Sequence, residues 1–219
     1  MNKTIIFDLD GTLCDTIADI VNCVNLTRNY FNLPSLPANL IESYVGDGAK
    51  SLIKKAIFNT NVSVEDAFPK MIEFYHTHPA DFVTVYPQVK TGLAKLKSKG
   101  FNLAVVTNKL GNVARQILVV TELALYIDDC IGDNDNFKLK PNPEAINYLL
   151  KKYHTSPENA WILGDNHTDM NSATNANIKG AFATWGYGSL KDSFCDIKST
   201  AFTPSLLAIS KIVSFSFVI

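Results

Sequence analysis

A short apolar run that ends in two closely spaced carboxylates constrains this chain most. Residues 5–7 (Ile-Ile-Phe) come directly before Asp8, Asp10 and Gly11. The β-branched run predicts a buried strand, and side chains two positions apart on an extended chain point to the same side. Gly11 allows a sharp turn after the strand. Because the two carboxylates repel each other, the pair predicts a site for a hard divalent cation, usually Mg²⁺.

Further polar residues follow apolar runs later in the chain. Thr107 and Asn108 end a second run, and Asp165 ends a third, with Asp169 four residues later. Lys140 precedes a proline-containing segment that is typical of a helix start. In open α/β sheets, ligands bind outside the carboxyl ends of the strands. The sequence therefore predicts that these side chains converge on one small site.

The chain divides into a helical block and a block in which helices and strands alternate. From Tyr86 onwards, repeated helix–strand units predict a Rossmann-like, doubly wound parallel sheet with helices on both faces. Before it, the apolar spacing predicts only helices, one of them capped by Ser63. We expect an α/β fold with a catalytic core of residues 1–15 and 83–219 and an all-helical cap at residues 16–82.

The alternation also predicts the bounds of the individual core elements. The expected strands are 102–107, a segment near 127–131, 160–164 and 180–185. The expected helices are 112–121, 143–153 and 169–177. The C-terminal residues 212–219 are mostly apolar, which predicts an edge strand or the end of a core helix.

Four motifs occur in an order that is known from one enzyme superfamily. Asp-Leu-Asp-Gly-Thr, Thr-Asn, Lys-Pro-Asn-Pro and Gly-Asp-Asn-His-Thr-Asp resemble the motifs of the haloacid dehalogenase superfamily. The chain is most similar to the phosphoglycolate phosphatase group, whose cap is inserted after the first motif. Tyr86-Pro87-Gln88-Val89 resembles that group's return to the core, with Gln88 where glycine is usual. The resemblance implies a phosphatase that acts on a small phosphorylated metabolite.

The motif residues each have an expected role. Asp8 is the candidate nucleophile, which would carry an aspartyl-phosphate. Asp10 would protonate the leaving oxygen and later deprotonate water, and the resemblance implies that its backbone carbonyl ligates the metal. Thr107 and the backbone amide of Asn108 would donate hydrogen bonds to the phosphoryl oxygens. Lys140 would neutralise phosphate charge and keep Asp8 ionised.

The last motif is expected to complete a Mg²⁺ site with the first acid pair. Asp165 is the expected direct ligand, so the metal would contact the first two aspartates and this third one. Asp169 would act beside it, as the cap of the following helix, or as both. Lys138 competes with Lys140 for the phosphate-neutralising role, and the Lys-Pro-x-Pro context favours Lys140.

Substrate choice is expected to depend on the cap. Gly46-Asp47-Gly48 resembles a specificity loop, because its two glycines allow backbone amides to approach a ligand closely; a plain connecting turn is the equal alternative. A small carboxylate such as glycolate would bind those amides or a cap cation, Lys50 or Arg28. The resemblance favours 2-phosphoglycolate, with a sugar phosphate, a nucleotide or pyrophosphate as alternatives.

The composition excludes several other classes of protein. A net charge of −1 gives no basic surplus for binding nucleic acid. The four cysteines lack Cys-x-x-Cys spacing and indicate reduced thiols in a cytoplasmic protein. No apolar run is long enough to span a membrane. We expect a monomer or homodimer whose partner is a small molecule.

Three other protein classes have related chemistry. A receiver-type phosphoacceptor module also places acids, a threonine and a lysine on a parallel sheet, but its acid pair and acceptor lie on different strands and it lacks a long helical insertion. A haloacid dehalogenase needs no metal and usually lacks an acid at the position of Asp10. A phosphomutase shares the core and differs in the group that accepts the phosphoryl, which the sequence barely distinguishes.

Overall fold

A computed structural model describes residues 2–202 of the chain, and the apolar tail at 212–219 lies outside the described residues. The strands are β1 (Thr4–Phe7), β2 (Cys14–Asp15), β3 (Thr84–Val85), β4 (Asn102–Leu110), β5 (Asp129–Asp133), β6 (Ala160–Gly164), β7 (Lys179–Ala183) and β8 (Ile197–Ser199). The α-helices are α1 (Ile17–Tyr30), α2 (Ala38–Glu42), α3 (Ala49–Ala56), α4 (Val64–Thr77), α5 (Val89–Ser98), α6 (Gly111–Val120), α7 (Glu144–Lys152) and α8 (His167–Asn175). Over residues 2–202, no helix combines the length and apolar character that crossing a bilayer requires.

Six strands form one parallel sheet in the order β5-β4-β1-β6-β7-β8. The central strand β1 is buried along its whole length, because alternate side chains enter two separate apolar clusters. Ile5 and Phe7 pack with α5 and α6, whereas Ile6 packs with α7 and α8. Burial on both faces explains the uninterrupted apolar runs of the core strands. The predicted doubly wound α/β core is thereby confirmed.

The sequence predicted the bounds of some strands and helices more accurately than those of others. The expected strand 160–164 matches β6, but the expected strand 102–107 is too short, since β4 continues to Leu110. Polar residues interrupt the apolar pattern there, and the strand continues past a shift in register that pairs Leu110 with Asp133. Strand β8 and helix α2 were not predicted, because each is too short to show a periodic pattern.

Helices α1 to α4 form the cap, and the chain enters and leaves it through a two-stranded antiparallel ribbon. In this ribbon β2 pairs with β3, so Cys14 lies opposite Val85. The apolar faces of the cap helices belong to the same buried cluster as one face of the core sheet, through residues such as Ile20, Ile53 and Met71. Cap and core therefore share a continuous apolar contact beside the ribbon.

One of the cap helices begins at the residue that the sequence indicated. The Ser63 side chain accepts a hydrogen bond from the Asp66 N–H, which confirms it as the N-cap of α4. At α1, Thr16 occupies the N-cap position, but the Asp15 carboxylate accepts the Ile17 N–H at 3.1 Å. The Thr16 hydroxyl does not cap the helix, and it instead contacts Asp10 in the site described below.

We predict that Leu149→Ala lowers the free energy of unfolding by about 2–5 kcal/mol, because it leaves a cavity between α7 and the sheet. Leu149 is fully buried in the second apolar cluster. Leu125→Ala is the matched control, since that leucine is 77% exposed and its truncation should change stability by about 0.5 kcal/mol or less. Urea unfolding followed by circular dichroism measures both; equal effects would contradict the described packing.

Candidate active site

A cleft between the cap and the carboxyl edge of the sheet gathers most of the residues predicted from the sequence. Its atom-free space, including the open mouth, is about 580 Å³. Lys140 and Asp169 are buried next to its floor. The predicted residues that line the cleft are Asp8, Asp10, Gly46, Gly48, Thr107, Asn108 and Asp165.

Adjacent parallel strands bring these residues together. Asp8 follows the last residue of β1, Asp165 follows the last residue of β6, and Thr107 lies in β4 on the other side of β1. Their carboxyl ends meet at one edge of the sheet, as the sequence analysis anticipated. Residues that are far apart in the chain thus line the same floor.

A buried ammonium lies between two carboxylates at this floor. Lys140 Nζ is 2.9 Å from Asp8 Oδ1 and 2.6 Å from Asp169 Oδ1. Burial opposes the charged form of Lys140, but the charges of Asp169 and Asp8 outweigh it and raise the pKa of the lysine. Burial raises the pKa of Asp8 to about 6, although Lys140 acts in the opposite direction. In the described part of the chain, Asp8 Oδ2 accepts no hydrogen bond.

Asp165 is buried under a glycine-lined loop. Its Oδ2 accepts the Gly188 N–H at 2.8 Å, and its Oδ1 accepts the Thr12 hydroxyl at 3.4 Å. Burial, followed by the charges of neighbouring aspartates, raises the pKa of Asp165 well above its usual value. Gly11 has a φ of +76°, and a Cβ there would overlap the Asp165 carboxylate. Only glycine permits both this turn and this approach.

The donor set fits a hard divalent cation. Carboxylate oxygens of Asp8, Asp165 and Asp169 all lie within 4.8 Å of one another, and the three residues are buried. Among residues 2–202, only the Lys140 ammonium contacts these carboxylates, and it contacts two of them, so the cluster is short of positive charge. Mg²⁺ prefers such oxygen ligands. The Asp10 carboxylate is not part of this cluster.

Residues of both the cap and the core position the Asp10 carboxylate. Asp10 Oδ1 accepts the Thr16 hydroxyl at 2.6 Å, and Thr16 Oγ1 lies 2.9 Å from the Tyr187 hydroxyl. Lys109 Nζ is 3.2 Å from the same carboxylate oxygen. A chain of polar contacts therefore holds Asp10 above the floor, separate from the buried Asp8 cluster.

Comparison with known proteins identifies the family. A sequence model of the haloacid dehalogenase-like hydrolases matches residues 5–183. The chain belongs to this family. The phosphoglycolate phosphatase of Aquifex aeolicus is 33% identical over 199 residues, covering 89% of this chain and 90% of that protein. The phosphoglycolate phosphatase of Vibrio cholerae is 33% identical over 193 residues, covering 84% and 85%.

A solved structure agrees with this family membership. The crystal structure of a predicted phosphoglycolate phosphatase from Haemophilus somnus superposes with a TM-score of 0.89 at 27% identity, covering 94% of this chain and 97% of that chain. Within the haloacid dehalogenase-like hydrolases, the chain is a phosphoglycolate phosphatase-like enzyme. The receiver-type alternative, which is not an enzyme, is thereby excluded.

The side chain of Asn108 has contacts that the sequence analysis did not foresee, since only its backbone amide had an expected role. Its Nδ2 donates to the Gly46 carbonyl at 2.9 Å and to the Lys140 carbonyl at 3.0 Å. Its Oδ1 accepts the Lys140 N–H at 2.8 Å. One amide side chain of this hydrolase therefore joins the cap loop, the second motif and the lysine segment.

Lys109 is a lining residue that the sequence analysis missed altogether. It lies two positions after Thr107 in β4, so on an extended strand the two side chains share a side. That spacing is the signal that could have indicated it. The cations that had been considered lie elsewhere: Lys50 and Lys138 are exposed, and the Arg28 guanidinium donates to the backbone carbonyls of Pro34 and Ala56.

We predict that Lys140→Met lowers the free energy of unfolding by about 3–5 kcal/mol at neutral pH in metal-free buffer, because it leaves buried carboxylates without a cation. Lys138→Met is the matched control: the same substitution at an exposed position two residues away should have almost no effect. Urea unfolding in the presence of a chelator measures both. Similar stabilities for the two variants would contradict the described role of the Lys140 ammonium.

Proposed function

We propose that this hydrolase cleaves phosphomonoesters through an aspartyl-phosphate on Asp8. The observation that carries the proposal is the cluster at the cleft floor, where the Asp8 carboxylate, which lines the cleft, adjoins a buried ammonium and two further carboxylates. The similarity to proteins named phosphoglycolate phosphatases supports it. The catalytic core would comprise residues 1–15 and 83–219 and the cap residues 16–82, which agrees with the position of the β2–β3 ribbon.

The first motif would supply both the nucleophile and the acid. Asp8 Oδ2, the oxygen without a hydrogen bond among the described residues, attacks phosphorus while the bond to the ester oxygen breaks. Asp10 donates a proton to that leaving oxygen. It then removes a proton from the water that hydrolyses the aspartyl-phosphate. The separate hydrogen bonds of Asp10 suit this role, because they keep it apart from the metal cluster.

Three other residues would bind the transferring phosphoryl group. The Thr107 hydroxyl accepts the Lys109 N–H at 3.2 Å and keeps its own proton for a phosphoryl oxygen. The backbone N–H of Asn108 would donate to a second oxygen. Lys140 holds Asp8 in the ionised form and adds positive charge at the floor.

We propose Mg²⁺ as the cofactor, held by Asp8, the Asp10 backbone carbonyl and Asp165, with Asp169 supporting it. The buried carboxylate cluster supports this assignment. When bound, the metal screens the repulsion between the anionic nucleophile and the phosphoryl group. Asp169 Oδ2 also accepts the Asn166 N–H at 3.0 Å and thereby caps α8, so its capping and supporting roles are compatible.

The favoured substrate is 2-phosphoglycolate, a small phosphorylated metabolite, as the names of the relatives suggest. Gly46 and Gly48 line the cleft and would approach the substrate from the cap. The four cysteines are free, which supports a cytoplasmic protein.

We predict that the protein releases phosphate from small phosphomonoesters, that chelation abolishes this activity and that added Mg²⁺ restores it. Asp8→Asn should remove nearly all turnover, because the amide cannot act as the nucleophile. Asp192→Asn, at an exposed position, is the control and should retain full activity. A phosphate-release assay over a panel of esters measures each case; turnover by Asp8→Asn at the control's rate would rule out the covalent mechanism.

We predict that Asp10→Asn lowers the rate by about 10²- to 10⁴-fold for alkyl phosphates such as 2-phosphoglycolate, because their leaving oxygen needs a proton. The loss should be smaller in the first step with 4-nitrophenyl phosphate, whose leaving group departs without protonation. Burst kinetics separate that step from aspartyl-phosphate hydrolysis. Equal first-step losses for the two esters would contradict the acid role.

A further inference from the structure

Lys109 brings a positive charge into the cleft that the proposed mechanism does not use. Among the described residues that line the cleft, no other lysine or arginine is present. Its side chain is 6% exposed, and its Nζ lies 3.2 Å from Asp10 Oδ1 and 3.4 Å from Asp10 Oδ2. The same ammonium lies 5.2 Å from the centre of the Tyr75 ring, which belongs to cap helix α4.

These contacts leave the ammonium able to bind a further anion. A lysine has three N–H donors, and among the described residues its direct partners are the Asp10 carboxylate and the Tyr75 ring. The buried Asp19 carboxylate acts on the same ammonium electrostatically, without a hydrogen bond to it. Tyr75 does not compete as an anion, because burial raises the pKa of its hydroxyl well above the usual value. Much of the surrounding cap wall is apolar, and its residues there are Ile20, Val45, Ala49 and Leu52. Such a wall has few groups that could form hydrogen bonds with the hydroxyls of a sugar.

We propose that Lys109 binds the carboxylate of the leaving group and thereby selects phosphate esters that carry a second anion close to the ester oxygen. This inference rests on the proposed function, in which Asp10 protonates that oxygen. A group within hydrogen-bond reach of Asp10 is also near the atoms next to the ester oxygen. In 2-phosphoglycolate, one methylene separates this oxygen from the carboxylate carbon, so Lys109 lies on the side of the cleft where the carboxylate would be.

The cap cations expected from the sequence cannot take this role in the structure. Arg28 is bound to two backbone carbonyls, and Lys50 is exposed. Lys55 is paired with Asp47 at 2.9 Å. The specificity cation is therefore on the core, at the end of β4, and the cap contributes Tyr75 above it.

The decisive test compares two esters of nearly equal size in the wild-type enzyme and Lys109→Met. One is 2-phosphoglycolate, and the other is 2-hydroxyethyl phosphate, in which an uncharged hydroxymethyl group replaces the carboxylate. The kcat/KM for 2-phosphoglycolate should fall about 10- to 10²-fold more than that for 2-hydroxyethyl phosphate, since a charge-assisted contact is lost with only one of them. Equal falls would mean that Lys109 acts only through Asp10 and would overturn the inference.

Three further variants control for charge, position and folding. Lys109→Arg should keep most of the preference for the carboxylate, and Lys50→Met should leave kcat/KM for both esters unchanged. A thermal unfolding curve identifies a Lys109→Met protein that is not folded, in which case the preference is read from Lys109→Gln instead. An unchanged preference in the folded variant counts against the inference.

A binding measurement separates this inference from the proposed function. Calorimetry with Mg²⁺ present compares 3-phosphonopropanoate, which cannot be hydrolysed, with 3-hydroxypropylphosphonate. Tighter binding of the carboxylate compound, lost in Lys109→Met, supports the inference even if the wild-type enzyme releases no phosphate, a result that would refute only the proposed function. Equal affinities of the two compounds for the wild-type protein would overturn the inference while leaving phosphatase activity intact.

Discussion

The Lys140 ammonium holds together carboxylates that would otherwise repel one another at the floor of the cleft. It contacts Asp8 and Asp169 directly, and Asp165 completes the cluster. Burial and mutual repulsion raise the pKa of Asp8 and of Asp165, so one ammonium does not fully compensate the group. The floor therefore carries excess negative charge that no residue of the cluster compensates. A divalent cation would compensate that charge, and an anionic phosphate ester would gain little attraction from this floor without one.

Packing in the parallel sheet offsets the free-energy cost of burying so many charges together. Strands β4, β1 and β6 are neighbours, and their apolar residues pack into two clusters that fix the position of the strand ends. The acids come directly after these rigid strands, so little conformational entropy is lost in placing them. The Asp169 side chain has two roles, because one of its oxygens binds Lys140 and the other caps α8. The cost of burying the acids is thus offset by packing that is remote from the chemistry.

Local patterns predicted the residues of the floor and the cap loop at Gly46 and Gly48, but not the other residues of the walls. The strand ends at Asp8 and Asp165 could be located because an apolar run and a polar residue are adjacent in sequence. The choice of Lys140 over Lys138 also agrees with the structure, in which only Lys140 is buried. Lys109 was missed because its partners, Asp10 and Tyr75, come from other segments of the chain. Contacts between distant segments depend on tertiary packing, which cannot be predicted from the local patterns of one sequence.

The Asn108 side chain couples the cap to the floor. It donates to the Gly46 carbonyl of the cap loop while its other hydrogen bonds fix the backbone of Lys140. A cap that moves away must break the bond to Gly46 and the contact of Tyr75 with Lys109. The apolar cluster that runs between cap and core stabilises the described arrangement. In this arrangement the cap completes the wall of the cleft with Tyr75 and the Gly46 loop, and Asn108 links that wall to the Lys140 segment.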